Sequence, residues 1–278
     1  MEQATHGGIT FRTLVTFFVV AFALSWAAWL PQVLDSTGVL DLPDAVGIFG
    51  ILGPFGPFVA AVWLTRRAGG GRAVKALLRR GWSRDFDKRW LLPTVFLMPA
   101  IALVTVAVMA VTGQDIEWDR GVAPVAIVPT FLVILLMNAA PEEFGWRGYA
   151  LAPMMSRHGA LTASLILGAV WGLWHLPLHL IDGTVQAAIP VHEFVLQQMV
   201  LAVFYTWLFT NTRGAVSVAI VFHALANVVG AAVPYWTTAG GRWTGFAVQV
   251  AFAAAIVAFW GPRRLSRVPE PEPAVARP

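Results

Sequence analysis

Long apolar stretches recur along almost the whole chain. A helix needs about 20 predominantly apolar residues to cross a hydrocarbon layer about 30 Å thick, and about eight stretches come close to that length. The predicted spans are 11–34, 46–66, 89–112, 122–145, 160–181, 191–211, 214–234 and 243–262. This pattern predicts an all-α, polytopic membrane protein with about eight transmembrane helices.

The spans form one predicted domain, residues 1–262, which is followed by a short tail. Residues 263–278 include a Pro-Glu-Pro-Glu-Pro run at 269–273. A segment of this composition cannot bury a core. The tail is therefore predicted to be disordered.

Composition agrees with a membrane protein and narrows its chemistry. Of the 278 residues, 58% are apolar and only 12% are charged, about half the charged fraction of a soluble domain. The chain has no cysteine, which excludes disulfides, thiolate zinc sites and a cysteine nucleophile. Any catalysis must use Asp, Glu, His, Ser or Lys.

The basic residues indicate the orientation. If the N-terminus is cytoplasmic, 17 of the 19 Lys and Arg residues lie inside, and only Arg120 and Arg242 lie outside. Because basic loops stay on the cytoplasmic side, we predict a multi-pass protein of the cell membrane with both termini cytoplasmic. The basic and apolar residues of segment 72–89, which follows the glycines at 69–71, favour an interfacial helix on anionic lipid over a nucleic-acid site.

Ionisable residues inside predicted spans are costly and usually mark function. In the segment Pro141–Gly148, Glu143 and Arg147 are four residues apart with the acid first, the favourable order for an intrahelical ion pair. Glu142 points about 100° away on a helix. It therefore has no local partner and must face the bundle or water.

Two later spans add polar side chains at one-turn spacing. His175 and His179 can share a helix face, although Pro177 distorts the helix between them, and His223 and Asn227 are again four residues apart. Taken singly, each has a structural explanation, such as a buried histidine bonded to a carbonyl or an asparagine that joins two helices. Together they favour one shared cavity with the parts for water activation and oxyanion stabilisation.

Counting residues along the predicted spans leaves two alternatives for the depth of this cavity in the membrane. Glu142 falls near the cytoplasmic end of the fourth predicted span, whereas His175 lies fifteen residues into the fifth. Either the fourth span continues to about Tyr149, or the fifth begins later than residue 160. His192 and Glu193 are interpreted as interfacial residues, because they open a helix after Pro190.

The three motifs, in this order and in membrane spans, resemble those of the CPBP family of intramembrane proteases. That family includes type II CAAX prenyl endopeptidases and bacteriocin-processing or abortive-infection-like proteins. The motifs cover Glu142 to Asn227, and the eight-span layout extends the resemblance over most of the chain. One departure is Trp171, where the family usually has Phe.

The resemblance implies roles for the matching residues. Glu142 corresponds to the catalytic glutamate and His175 to its partner in activating water. His223 and Asn227 correspond to the pair that holds the oxyanion. Glu143 and Arg147 complete the first motif as supporting residues.

Alternatives remain at this point. A zinc site formed by Glu142, His175, His179 and His223 is conceivable, although no His-Glu-x-x-His sequence is present and an amide suits an oxyanion better than zinc. The metal-free mechanism, with no cofactor, is favoured.

Two other functions are a proton-relaying transporter and an inert immunity scaffold. The concentration of polar residues in three spans counts against the transporter, and the presence of every motif residue counts against the scaffold. The expected partners are the lipid bilayer and a peptide or membrane-protein substrate, with no nucleic acid.

Cysteine labelling tests the predicted topology. Single cysteines introduced near Gly70 and near Gly240 into this cysteine-free chain should react with an impermeant maleimide from opposite faces of the membrane. Gly70 should be labelled from the cytoplasm, because its connection carries the most basic residues. Labelling of both positions from the same side would contradict the eight-span arrangement.

Overall fold

A computed structural model describes residues 9–267, and within that range the chain is helical with no β-strand. The α-helices are α1 (Phe11–Ser36), α2 (Gly47–Gly50), α3 (Gly56–Arg79), α4 (Leu91–Val111), α5 (Ile127–Ile134), α6 (Ala140–Gly145), α7 (Leu151–His158), α8 (Ala160–Trp174), α9 (Val191–Asn211), α10 (Val216–Ala232) and α11 (Ala239–Trp260). Two π-helical turns, Leu135–Ala139 and Trp146–Ala150, join α5, α6 and α7 into one continuous run.

The helices confirm an all-α, polytopic membrane protein. Among the described residues, seven helical runs are long and apolar enough to cross a membrane. They are Phe11–Ser36, Gly47–Trp82, Lys88–Val111, Trp118–His158, Ala160–Leu180, Val191–Asn211 and Ala239–Trp260. The remaining predicted span, 214–234, corresponds to the shorter apolar helix α10. Many of the large apolar side chains on these helices face outward, as expected for contact with lipid.

The fourth span is longer than the predicted 122–145. Its helical run continues through the π-helical turn to His158 and ends at Gly159, whose φ of 75° breaks the helix. Of the two alternatives for the depth of the cavity, the structure therefore has the first, an extended fourth span. Glu142 lies well inside this run, in the bundle interior.

The second span bends where three glycines follow one another. Gly69 and Gly70 leave the helical conformation, and Gly70 adopts a φ of 65° that a side chain would disfavour. The helix then resumes to Arg79 with Leu77 buried and the neighbouring basic side chains exposed. Trp82, just beyond, is 82% exposed, so this segment presents one face to the bundle and another outward.

Helices α8 and α9 pack closely, and this contact fixes the depth of the candidate residues they carry. A Cβ atom at Gly168 would lie 2.5 Å from the Cα of Met199, and one at Gly172 would lie 3.0 Å from the Cα of Val195. Only glycine permits this approach. α8 then ends at Trp174, and Leu176–Leu180 form a tight 3₁₀ turn around Pro177, as expected for a proline.

The predicted tail starts with residues that contact the helices. The Leu265 side chain is fully buried, and its carbonyl accepts hydrogen bonds from Thr210 and Asn211 at the end of α9. The carbonyl of Arg263 accepts from the Ala160 amide at the start of α8. Residues 268–278 lie outside the described range, so the disordered tail and the domain division stay predictions.

Candidate active site

The first motif contains a buried ion pair that also holds a histidine. The Nη1 of Arg147 donates to both carboxylate oxygens of Glu143, at 2.8 and 3.0 Å, which confirms the predicted pair. The Nδ1 of His223, on α10, lies 2.8 Å from Oε1 of Glu143. All three side chains are at most 2% exposed. Because an ionised carboxylate only accepts, His223 donates through Nδ1, and its Nε2 is free to face other groups.

Aromatic rings surround Arg147. Its Cζ lies 3.8 Å from the centre of the Tyr205 ring on α9 and 4.8 Å from the centre of the Trp171 ring on α8. Cation–π contacts of this kind stabilise a desolvated guanidinium. Within residues 9–267, the Nε and Nη2 of Arg147 and the Tyr205 hydroxyl are buried and have no hydrogen-bond partner. Buried polar groups that lack a protein partner commonly bind internal water molecules.

Glu142 and His175 are both connected to Trp171. The indole Nε1 of Trp171 donates to Oε2 of Glu142 at 2.8 Å, and the Trp171 carbonyl lies 2.8 Å from Nδ1 of His175. Since a carbonyl only accepts, Nδ1 of His175 carries the proton, and the neutral ring keeps its lone pair on Nε2. Glu142 is 3% exposed and His175 is 8% exposed.

Two of the predicted residues have different surroundings from those of this cluster. His179 is half-buried, its Nδ1 lies 3.1 Å from the Ile189 carbonyl, and its Nε2 is buried without a partner in the described part of the chain. Asn227 is exposed, one helical turn beyond His223 on α10. The structure thus brings together Glu142, Glu143, Arg147, His175 and His223, and places Asn227 at the open side of α10.

Glu193, which was interpreted as an interfacial residue at the start of a helix, has a partner within the protein. It is buried, and its Oε2 accepts from Nε of Arg242 on α11 at 2.5 Å. This pair joins the beginnings of α9 and α11 across the bundle. The next residue, Phe194, packs its ring against both His175 and His179, at 5.1 and 5.2 Å between ring centres.

Arg80 joins two of the motif segments, although it lies far from them in sequence. Its Nη1 donates to the Gly148 carbonyl at 2.7 Å, and its Nε and Nη2 donate to the Gly214 carbonyl at 3.3 and 3.2 Å. Gly148 follows Arg147 in the π-helical turn, and Gly214 lies just before α10. The fork of donors on one guanidinium therefore holds the Glu143 segment beside the helix of His223.

Sequence reasoning missed the roles of Trp171, Tyr205 and Arg80. Trp171 was noted only as a departure from the Phe that is usual in the family. For Tyr205, a usable signal was a phenol in the apolar second half of a predicted span, because a buried hydroxyl needs a partner. Nothing in the sequence around Arg80 separates it from the neighbouring basic residues, since its contacts lie 68 and 134 positions away.

The residues of the zinc alternative do not assemble as ligands. In the described range 9–267, no group of three or more His, Asp or Glu side chains is placed to hold a metal ion. Of the four residues considered, the Nδ1 atoms of His175 and His179 face main-chain carbonyls, and that of His223 faces Glu143. These contacts leave the Nε2 atoms of the three histidines without an assigned role, so the metal-free mechanism stays a prediction.

The Glu143–Arg147 pair gives a stability prediction. Glu143→Gln should lower the thermal unfolding midpoint strongly, because breaking a buried pair leaves an uncompensated charge and costs about 3–5 kcal/mol. The matched control is Glu117→Gln, whose carboxylate pairs with Arg120 at 3.0 Å on the exposed surface and contributes at most about 1 kcal/mol. Tryptophan fluorescence of the purified proteins in detergent measures both midpoints. Equal midpoints for the two variants would contradict the prediction.

Comparison with known proteins places the same region in a protease family. Residues 124–229 match the family model described as type II CAAX prenyl endopeptidase Rce1-like, and this range contains every candidate residue from Glu142 to Asn227. The chain is also 28% identical over 225 residues to CAAX prenyl protease 2 of Methanococcus maripaludis, an alignment that covers 76% of this chain and 82% of that protein. Together with the helical membrane fold and the three motifs, these matches support the similarity of this chain to the CPBP family of intramembrane proteases.

Proposed function

We propose that this protein is an intramembrane endopeptidase that cleaves a membrane-associated protein or peptide with water activated by Glu142 and His175. The observation that carries the proposal is the unequal pairing of two adjacent buried carboxylates. Glu143 is occupied by Arg147 and His223, whereas Glu142 accepts one hydrogen bond from a neutral indole. Glu142 therefore keeps an oxygen that can take a proton.

In the proposed reaction, Glu142 is the general base. A water molecule held between its carboxylate and the unprotonated Nε2 of His175 loses a proton to Glu142 as its oxygen attacks the peptide carbonyl carbon. The tetrahedral intermediate then collapses, the C–N bond breaks, and the departing nitrogen takes the proton from Glu142. No covalent enzyme intermediate is required.

The opposite side of the carbonyl is assigned to His223 and Asn227. Glu143 fixes the His223 ring through Nδ1, so a protonated ring would present Nε2–H to the oxyanion, with the Asn227 amide as the second donor. The positions of the two residues support this arrangement, because Asn227 is exposed one helical turn beyond the buried His223.

The relative's name gives a first substrate to try. Because the relative is named as a CAAX prenyl protease, a lipidated C-terminal peptide is a suitable probe for this chain. Peptide maturation of the bacteriocin-processing type is a further use of the same site. We propose the metal-free form of this reaction, and metal dependence is tested below.

The base assignment is tested with Glu142→Gln, which keeps the shape of the side chain and removes its basicity. The probe is a quenched fluorogenic peptide ending in a farnesylated cysteine and three further residues, compared with its unlipidated form and with a transmembrane-segment peptide. Wild-type protein should cleave at least one of them, and Glu142→Gln should lose cleavage while keeping its unfolding midpoint. Glu117→Gln serves as the exposed control.

Wild-type turnover by Glu142→Gln would contradict the assignment. A folded wild-type protein that cleaves none of the three peptides would instead favour a non-enzymatic scaffold.

Asn227 and His179 separate the metal-free mechanism from a zinc mechanism. Asn227→Ala should fold and bind substrate but turn over about 10²–10³-fold more slowly, the usual cost of removing one oxyanion donor. His179→Ala should keep most activity, because its Nδ1 faces a carbonyl outside the cluster. The measurement is kcat and KM before and after dialysis against a strong chelator.

A zinc enzyme that uses His179 would show the opposite order. His179→Ala would be inactive, and chelation would abolish activity that added zinc restores.

A further inference from the structure

Among residues 9–267, Trp171 is the one residue that contacts both proposed reacting groups through hydrogen bonds. Its side chain reaches Glu142 on α6, and its main chain reaches His175 at the end of α8, each at 2.8 Å. Trp171 itself is 3% exposed. The relative position of the two groups is therefore set by a single buried residue.

The indole ring has little freedom to turn. Its centre lies 5.5 Å from that of the His223 ring and 5.6 Å from that of the Tyr205 ring, and the Arg147 guanidinium lies over it at 4.8 Å. The backbone beside it is fixed too, because Gly172 touches the main chain of Val195 on α9. An indole packed in this way keeps its N–H directed at Oε2 of Glu142.

The indole N–H has two consequences for Glu142. It occupies Oε2, so Oε1 is the oxygen left to face water. It also orients the carboxylate without neutralising it, since indole is a neutral donor, whereas the guanidinium beside Glu143 cancels a charge. At the same time the Trp171 carbonyl holds the proton of His175 on Nδ1 and leaves Nε2 as the acceptor.

We propose that Trp171 is a positioning residue, whose N–H reserves Oε2 of Glu142 and turns Oε1 toward the attacking water, while its carbonyl fixes the tautomer of His175. The proposal rests on the proposed protease function for its kinetic consequence. The hydrogen bond from the indole to Glu142 can be tested without any substrate.

The kinetic test compares the same substitution at two buried tryptophans. Trp171→Phe removes the N–H and keeps an aromatic ring. Trp207→Phe is the matched control, because Trp207 is also buried, lies among Trp90 and Trp260, and has an indole N–H without a partner in the described structure. Trp171→Phe should lower kcat about 10-fold or more with KM unchanged, the scale of a lost hydrogen bond to a charged group. Trp207→Phe should stay within about 3-fold of the wild type.

A second replacement separates the N–H from the volume of the ring. 3-Benzothienylalanine introduced at position 171 keeps both fused rings and has sulfur in place of the N–H. It should lower kcat as Trp171→Phe does and should leave the unfolding midpoint close to wild type. Wild-type kcat in this folded variant would overturn the proposal, as would equal losses in Trp171→Phe and Trp207→Phe.

The spectroscopic test uses the infrared band of the Glu142 carboxyl group, assigned by its loss in Glu142→Gln. In pH-difference spectra, the C=O stretch of protonated Glu142 should move to higher frequency when Trp171 loses its N–H, and should not move in Trp207→Phe. An unmoved band overturns the positioning role. If the wild-type protein cleaves no peptide, the proposed function fails, and this band still decides whether Trp171 holds Glu142.

Discussion

The buried carboxylate of Glu143 is the constraint around which the site is arranged. An ionised group at this depth is tolerated only with partners, and Glu143 has two, Arg147 in its own helical run and His223 on α10. Arg147 in turn lies over Tyr205 from α9 and Trp171 from α8. The need to compensate one charge thus draws four helical segments to one point, and Arg80 holds two of them together from outside the motifs.

Once Glu143 is neutralised, its neighbour is free for chemistry. Adjacent residues on a helix point about 100° apart, so Glu142 faces away from the guanidinium and toward α8. There it meets an indole N–H rather than a cation. Two adjacent carboxylates thereby acquire different environments, one that stabilises the bundle and one suited to accept a proton.

Local sequence signals account for much of the fold. The lengths of the apolar runs predicted the helices, the spacing of Glu143 and Arg147 predicted their ion pair, and Pro177 predicted the break after α8. The end of the fourth span was wrong because nothing local marks a π-helical turn at Trp146–Ala150. The partner of Glu193 was not predicted, because Arg242 lies 49 residues away on another helix. The roles assigned to Glu142, His175, His223, Asn227 and His179 all stay predictions.

By itself, the sequence determined that the chain crosses a membrane and approximately where its helices lie. It also singled out the few polar residues within the spans, because the free-energy cost of burying a polar group in lipid makes such residues rare without a function. Only the tertiary structure decided which partner each of these residues has. His223 binds Glu143 across 80 positions, and Trp171 binds Glu142 across 29. Such pairings depend on how helices approach and rotate against one another, at contacts such as Gly168 against Met199, and residue spacing along one helix carries no information about them.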